Sequence, residues 1–319
     1  MNAGRYALRI SFLLCFTFEG LLFAQSEMRF AVIPKGTTHI FWKSVEAGAV
    51  RAGKEFGVTI VWKGPVKEND RGQQIAIVEQ FVNEGVSGII LAPLDQVALV
   101  RPVRMAGRKK IPVVIFDSAL NGEVGQDYVS YVATDNRKGG SLGGQKLVEL
   151  LQGKGKVLLL RYMVGSASTV EREEGFLKAL GTAKGIILIA ENRYAGATAG
   201  EAKTATMNMI DKLKEADGIF CPNESSTFGM LLSLRQNNLA GKVKFVGFDT
   251  SPPLIEALRN GEIDALVAQD PTQMGYRAVE ILVKHVQGKP VAPMVDTGVR
   301  LITRENLNDP EIVKLLGSP

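Results

Sequence analysis

Short apolar runs recur along this chain, with segments of helix length between them. They read RFAVI, VTIVW, SGIILA, IPVVIF, YVSYVA, GKVLLL, GIILIA, DGIFC, VKFVGF and DALVA. None alternates strictly between apolar and polar positions, which is the pattern of parallel strands covered on both faces. The segments between them carry helical stripes: Trp42, Val45, Ala49, Ala52 and Phe56 share one face. Asp135 or Asn136 is placed to cap a helix through RKGGSLGGQKLVELL, and Ser225 one through TFGMLLSLRQ. Repeated βα units of this kind predict an α/β fold of doubly wound parallel sheets. About ten strands exceed one ordinary sheet, so the pattern predicts two lobes, the first over roughly residues 28–133.

The first 24 residues depart from this pattern. Arg5 and Arg9 precede the apolar run ISFLLCFTF, and LLFA ends in the small Ala24. Basic, apolar, small is the order of a cleavable export signal. The apolar run is short for a bilayer span, and Glu19 separates it from the apolar residues beyond. FLLC lacks the small residues expected before a lipidated cysteine. With Cys15 inside the signal, Cys221 is the one cysteine left, so no intramolecular disulfide is expected. Its apolar setting in DGIFCP points to an inert core thiol. The chain has 319 residues and a net charge of +5, from 38 Lys+Arg against 33 Asp+Glu. The two signs are interspersed, so the surface reads as mixed and solvated, with no clustered basic footprint for nucleic acid.

Enzyme motifs are missing. The two histidines, His39 and His285, form no metal-ligand cluster with cysteine, and no nucleophile elbow or phosphate-binding loop occurs. GGSLGG at 139–144 lies inside a predicted helix, where glycines serve close packing. No cofactor is expected. What the chain does offer is a set of polar residues at strand ends: Asp95, Asp117, Asn223 with Glu224, Asp249 and Gln269, with His39, Phe41 and Trp42 after the first strand. Open parallel sheets bind ligands beyond the carboxyl ends of their strands. Carboxylates and amides match vicinal hydroxyls, and aromatic faces cover the C–H faces of a sugar ring. A single Asp at such a place is more economically a turn former, Asp95 above all, and Trp42 fits the core stripe as well as a ligand face.

The motifs FWKSVEAGA, PVVIFDS, STVEREEGF, IFCPNES, FVGFDTS and LVAQDPTQMG, in this order, resemble those of periplasmic sugar-binding proteins of the ribose-binding type, the solute receptors of ABC importers. The resemblance implies two doubly wound lobes joined by a three-stranded hinge, with lobe 1 over 28–133 plus 270–297 and lobe 2 over 134–269 plus 298–319. It implies stacking by Phe41 and Trp42, hydroxyl binding by Asp117 and Asp249, and further contacts from Arg172, Asn223 and Gln269. His39 stands where ribose binders have Asn, and Ser118 where they have Arg; both belong to the expected site. No second-lobe aromatic is in register, Tyr194 being merely near. The resemblance implies capture of a monosaccharide, delivery to an inner-membrane ABC permease, a periplasmic location and a monomer that binds no nucleic acid; the charges of the expected site favour a neutral sugar, with a cationic ligand such as an amino sugar or polyamine as the runner-up. Alternatives sharing the fold are a sensor serving a chemoreceptor or kinase, the effector-binding core of a lactose-repressor-type regulator and, least favoured, an enzyme. On charge, Arg172 is the one cation expected among several carboxylates, with His39 taken as mostly neutral.

Overall fold

The computed structural model describes residues 27–317; the expected export signal at 1–24 lies outside the described residues. The chain begins β1 (Arg29–Ile33), α1 (Ile40–Phe56), β2 (Thr59–Trp62), α2 (Arg71–Glu84), β3 (Gly88–Leu91), α3 (Val100–Arg108), β4 (Val113–Phe116) and β5 (Ser130–Ala133). It continues α4 (Asn136–Leu150), β6 (Lys154–Arg161), α5 (Ala167–Leu180), β7 (Gly185–Tyr194), α6 (Ala199–Met207), α7 (Ile210–Glu215), β8 (Gly218–Phe220), α8 (Glu224–Gln236), β9 (Lys244–Phe248), α9 (Pro252–Arg259) and β10 (Ala265–Ala268). Last come α10 (Pro271–Val286), β11 (Met294–Asp296), β12 (Arg300–Ile302) and α11 (Pro310–Leu316).

Two six-stranded sheets result, in the orders β11-β5-β4-β3-β1-β2 and β12-β10-β9-β8-β6-β7. All pairs are parallel except β10 with β12. Each sheet is the core of one lobe, and the chain passes between them three times: after β5, after β10 and between β11 and β12. All ten apolar runs form strands. β11 and β12 escape the sequence pattern because each has three residues, and MVD and RLI mix polar with apolar side chains. Asp296 ties two of the crossings together: its Oδ1 accepts from the backbone N–H of Asp135 and of Gly298.

The absence of alternation has the expected cause. In β1, Phe30 and Val32 enter the core on one face, Ala31 and Ile33 the core on the other. In the second sheet, Leu158 and Leu160 of β6 face one layer, Val157 and Leu159 the other. Each lobe also seats one helix pair backbone-to-backbone on glycines. A Cβ on Gly48 of α1 would lie 2.0 Å from the Thr272 carbonyl oxygen of α10, and one on Gly275 2.1 Å from that of Val45. In lobe 2, Gly140 of α4 and Gly175 of α5 meet the carbonyls of Arg172 and Arg137 at 1.8 and 2.1 Å in the same sense. This is the use of GGSLGG. Cys221 is free and buried, and His285 is exposed in the last turn of α10.

Candidate functional site

The carboxyl ends of the two sheets face one another, and the space between them is a cavity. Two aspartates hold corresponding corners. Asp117 follows β4 and Asp249 follows β9, each buried and each in the left-handed backbone region, at φ 60° and 72°. Non-glycine residues rarely adopt that conformation, and those that do cluster at functional sites. Each backbone N–H bonds to the neighbouring strand, Asp117 to the Val132 carbonyl and Asp249 to that of Val267, which fixes the carboxylates at the cleft.

On the first-lobe side, α1 starts at the site. His39 is its N-cap residue, but the imidazole makes no capping bond; its Nδ1 lies 2.8 Å from Glu68 Oε1. Trp42 Nε1 donates to the same oxygen at 2.7 Å. Trp42 is 2% exposed and packs edge-to-face on Phe41 and Phe116, with centroids 4.9 and 6.1 Å apart, while Phe41 is half-buried. Trp42 is thus both core and cavity wall. Lys35, just past β1, is buried with its Nζ 2.9 Å from Asp117 Oδ2.

On the second-lobe side, Arg172 lies in α5 beneath the close contact at Gly140. Its guanidinium donates to Asn136 Oδ1, the Pro222 carbonyl and Gln269 Oε1 at 2.8, 3.0 and 2.8 Å, and sits 3.9 Å over the Phe248 ring. Gln269 passes this on by donating from Nε2 to Asp249 Oδ1 at 2.7 Å, and the Glu224 backbone N–H donates to Oδ2 at 2.8 Å. Asn223 lines the cavity and is also the N-cap of α8, in a capping box with Ser226. The cap is therefore Asn223, not Ser225: the helix starts earlier, and Ser225 lies within its first turn. Burial pushes the carboxyl groups of Asp249 and Glu224 upward, Glu224 further through the Asp249 charge.

Several bonds cross the cleft. Lys35 Nζ donates to Ser168 Oγ at 2.9 Å and to Ser166 Oγ at 3.3 Å. Tyr162 OH donates to Glu68 Oε2 at 2.8 Å. The Phe41 N–H donates to Glu224 Oε2 at 3.1 Å, and the Ser168 N–H to Ser118 Oγ at 3.1 Å.

Of the residues expected at the site, His39, Phe41, Trp42, Asp117, Arg172, Asn223, Asp249 and Gln269 line the cavity. Ser118 does not; it is fully buried beside it, bonded to Ser168. Asp95 is a turn former, its Oδ1 accepting from the N–H groups of Val97 and Ala98. Tyr194 is exposed on β7, away from the site. Lys35, Glu68, Tyr162, Ser168 and Thr169 also line the cavity and are not among the expected residues. Tyr162 stands directly after a strand and Lys35 two residues past one, within reach of the strand-end rule, and Ser168 and Thr169 lie in STVEREEGF. Glu68 comes from an unpatterned loop.

The expectation of a single cation is corrected. Lys35 is a second, and His39 is a third. Burial opposes its charge, but the charge and hydrogen bond of Glu68, aided by Glu224 and the Ala197 backbone, push it up to about 9. Burial likewise opposes ionised Glu68, yet His39, Lys35 and Trp42 hold it at about 2. Among the described residues no cluster of His, Cys, Asp and Glu has the makings of a metal site, and no helix is long and apolar enough to cross a membrane.

Two similar, mainly parallel sheets with a polar, aromatic-edged cavity between their carboxyl ends define a two-lobed binding protein. Residues 30–290 match the periplasmic binding protein domain, and the chain belongs to that family, to its ribose-binding type. It is similar to the ribose import binding protein of Salmonella typhimurium, 27% identical over 285 residues, which cover 88% of this chain and 93% of the relative. A carbohydrate transporter solute-binding protein from Agrobacterium radiobacter, solved with D-arabinose, superimposes with a TM-score of 0.87 at 30% identity, covering 92% of this chain and all of its own. An ABC transporter solute-binding protein from Agrobacterium vitis, solved with D-fucose, gives 0.86 at 33%, covering 89% and 98%.

Proposed function

We propose that this protein captures a neutral monosaccharide between its lobes and delivers it to an ABC permease in the inner membrane. The observation that carries this reading is the pair of left-handed aspartates, Asp117 and Asp249, facing one cavity beside the half-buried Phe41 ring. Each carboxylate accepts from two hydroxyls, Asn223 and Arg172 have N–H groups to give, and Phe41 and Trp42 cover a sugar's C–H face. Three cations, Lys35, His39 and Arg172, face four carboxylates, Glu68, Asp117, Glu224 and Asp249. Burial pushes the carboxyl groups of Glu224 and Asp249 upward, which disfavours their charged forms. Such a site neither needs a charged ligand nor has a free cation for a phosphate.

The protein binds without turnover, a reading supported by its membership of a family of binding proteins. It works as a monomer in the periplasm after removal of residues 1–24. Its lobes run over 28–133 plus 270–297 and 134–269 plus 298–319, and a ligand gripped by both favours the closed form through its differential affinity. Calorimetry against D-ribose, D-arabinose, D-fucose and D-allose, their deoxy analogues and their phosphates tests this. We expect one neutral sugar to bind and deoxy analogues to lose affinity sharply. Tight binding of a phosphate with none of its neutral parent overturns the reading.

A further inference from the structure

Glu68 lines the cavity and is its most heavily engaged carboxylate. It is 7% exposed and accepts three bonds: Trp42 Nε1 and His39 Nδ1 at Oε1, and Tyr162 OH at Oε2. The first two donors open α1 in its own lobe. The third belongs to the other lobe, where Tyr162 follows β6 with its side chain 1% exposed. We propose that Glu68 is a positioning residue that fastens the lobes on protein atoms alone: it holds His39 and Trp42 in place at the ligand and clasps Tyr162 across the cleft.

The asymmetry of its bonds makes it a clasp. Parting the lobes removes one bond, that of Tyr162. Glu68 keeps His39 and Trp42, so its charge is not left buried and alone, and the freed tyrosine hydroxyl turns to water. No orphaned polar group opposes opening, and a charge-assisted bond rewards closing. Lys35 makes a second link of this kind, donating to Ser168 Oγ while keeping Asp117. The charged and titratable groups that act on Glu68, His39 and Tyr162 are Lys35, Asp117, Glu201 and Glu224. The clasp deepens the sugar-capture reading and rests on it for its ligand arm only.

Tyr162→Phe keeps the buried ring and removes the clasping hydroxyl; Glu68→Gln keeps the shape and removes the charge. Small-angle scattering of the ligand-free Tyr162→Phe protein should give a larger radius of gyration than wild type at an unchanged fold by circular dichroism. In NMR titrations, His39 should titrate near 9 in wild type and move down towards ordinary histidine in Glu68→Gln. For whichever of D-ribose, D-arabinose, D-fucose and D-allose wild type binds, Tyr162→Phe should bind about tenfold more weakly, chiefly through faster release. An unchanged radius of gyration overturns the clasp, and an unmoved His39 overturns the positioning role. Should wild type bind none of the four sugars, the sugar reading fails while scattering and titration still decide on Glu68.

Discussion

Asp117 and Asp249 occupy the same place in two copies of one architecture, with the same left-handed backbone, and they are held in different ways. Asp117 has a cation on it: the Lys35 ammonium, 2.9 Å away and as deeply buried as the carboxylate itself. Asp249 has neutral donors on it, the Gln269 amide and the Glu224 N–H, and the nearest guanidinium, that of Arg172, bonds to the far end of Gln269. The fold fixes where the carboxylate stands, while the side chains around it decide whether a cation or neutral donors hold it. Burial pushes Asp249 upward even with Arg172 close by.

The largest test removes the cation. Lys35→Met leaves Asp117 buried without its partner, and urea unfolding should show a loss of ~3–5 kcal/mol. Gln269→Leu, the matching change in the other lobe, removes a neutral amide that bonds to Arg172 and Asp249 and should cost ~1–3 kcal/mol. Equal losses would erase the contrast. A smaller effect depends on pH. His39 is raised from 6.5 to about 9, so its contribution is complete below 6.5 and fades as pH climbs through 9. Glu68 is lowered from 4.5 to about 2, so its contribution is complete above 4.5 and fades as pH falls through 2. Melting temperature should therefore be highest between 4.5 and 6.5 as far as this pair decides it, and Glu68→Gln should flatten the alkaline decline. The smallest effect on folding belongs to Phe41→Ala. Half-buried at the cavity edge, it should cost below about 1 kcal/mol of stability while weakening sugar binding. Trp42→Ala, in the core, should cost ~3–5 kcal/mol, and a Phe41 variant that unfolded as readily would make that ring core as well.

Half of this contrast is legible in the amino-acid sequence through the strand-end rule. Asp117, Asp249, Asn223 and Gln269 each end an apolar run, and Arg172 lies in a motif. The other half depends on partners far apart in the chain. Lys35 meets Ser168 across 133 positions, and Tyr162 meets Glu68 across 94, so nothing local marks them as a set. Glu68 sits in WKGPVKEND, where charge has no period to betray its burial. The charge of His39 is hidden for the same reason, because it is Glu68 that keeps the proton on it. The cap of α8 lies two residues before the expected Ser225, since Asn223 and Ser225 are both good caps and the choice is made by Ser226 returning a bond to Asn223.

The glycine-seated helix pairs also bear on the order in which the molecule can assemble. α1 is covered by α10, whose residues come after nearly all of the second sheet, and the exposed edge of β5 is closed by β11, later still. A nascent chain ending at residue 269 therefore has every strand from β1 to β5 but no lid for the Trp42–Val45–Ala49 stripe and no partner for the β5 edge. The first lobe to be synthesised is thus completed only after nearly all of the second has been made, its long-range contacts waiting on residues 270–297. A fragment cut there should stay loosely packed and adhesive, and adding residues 270–297 as a separate peptide should restore its cooperative melting.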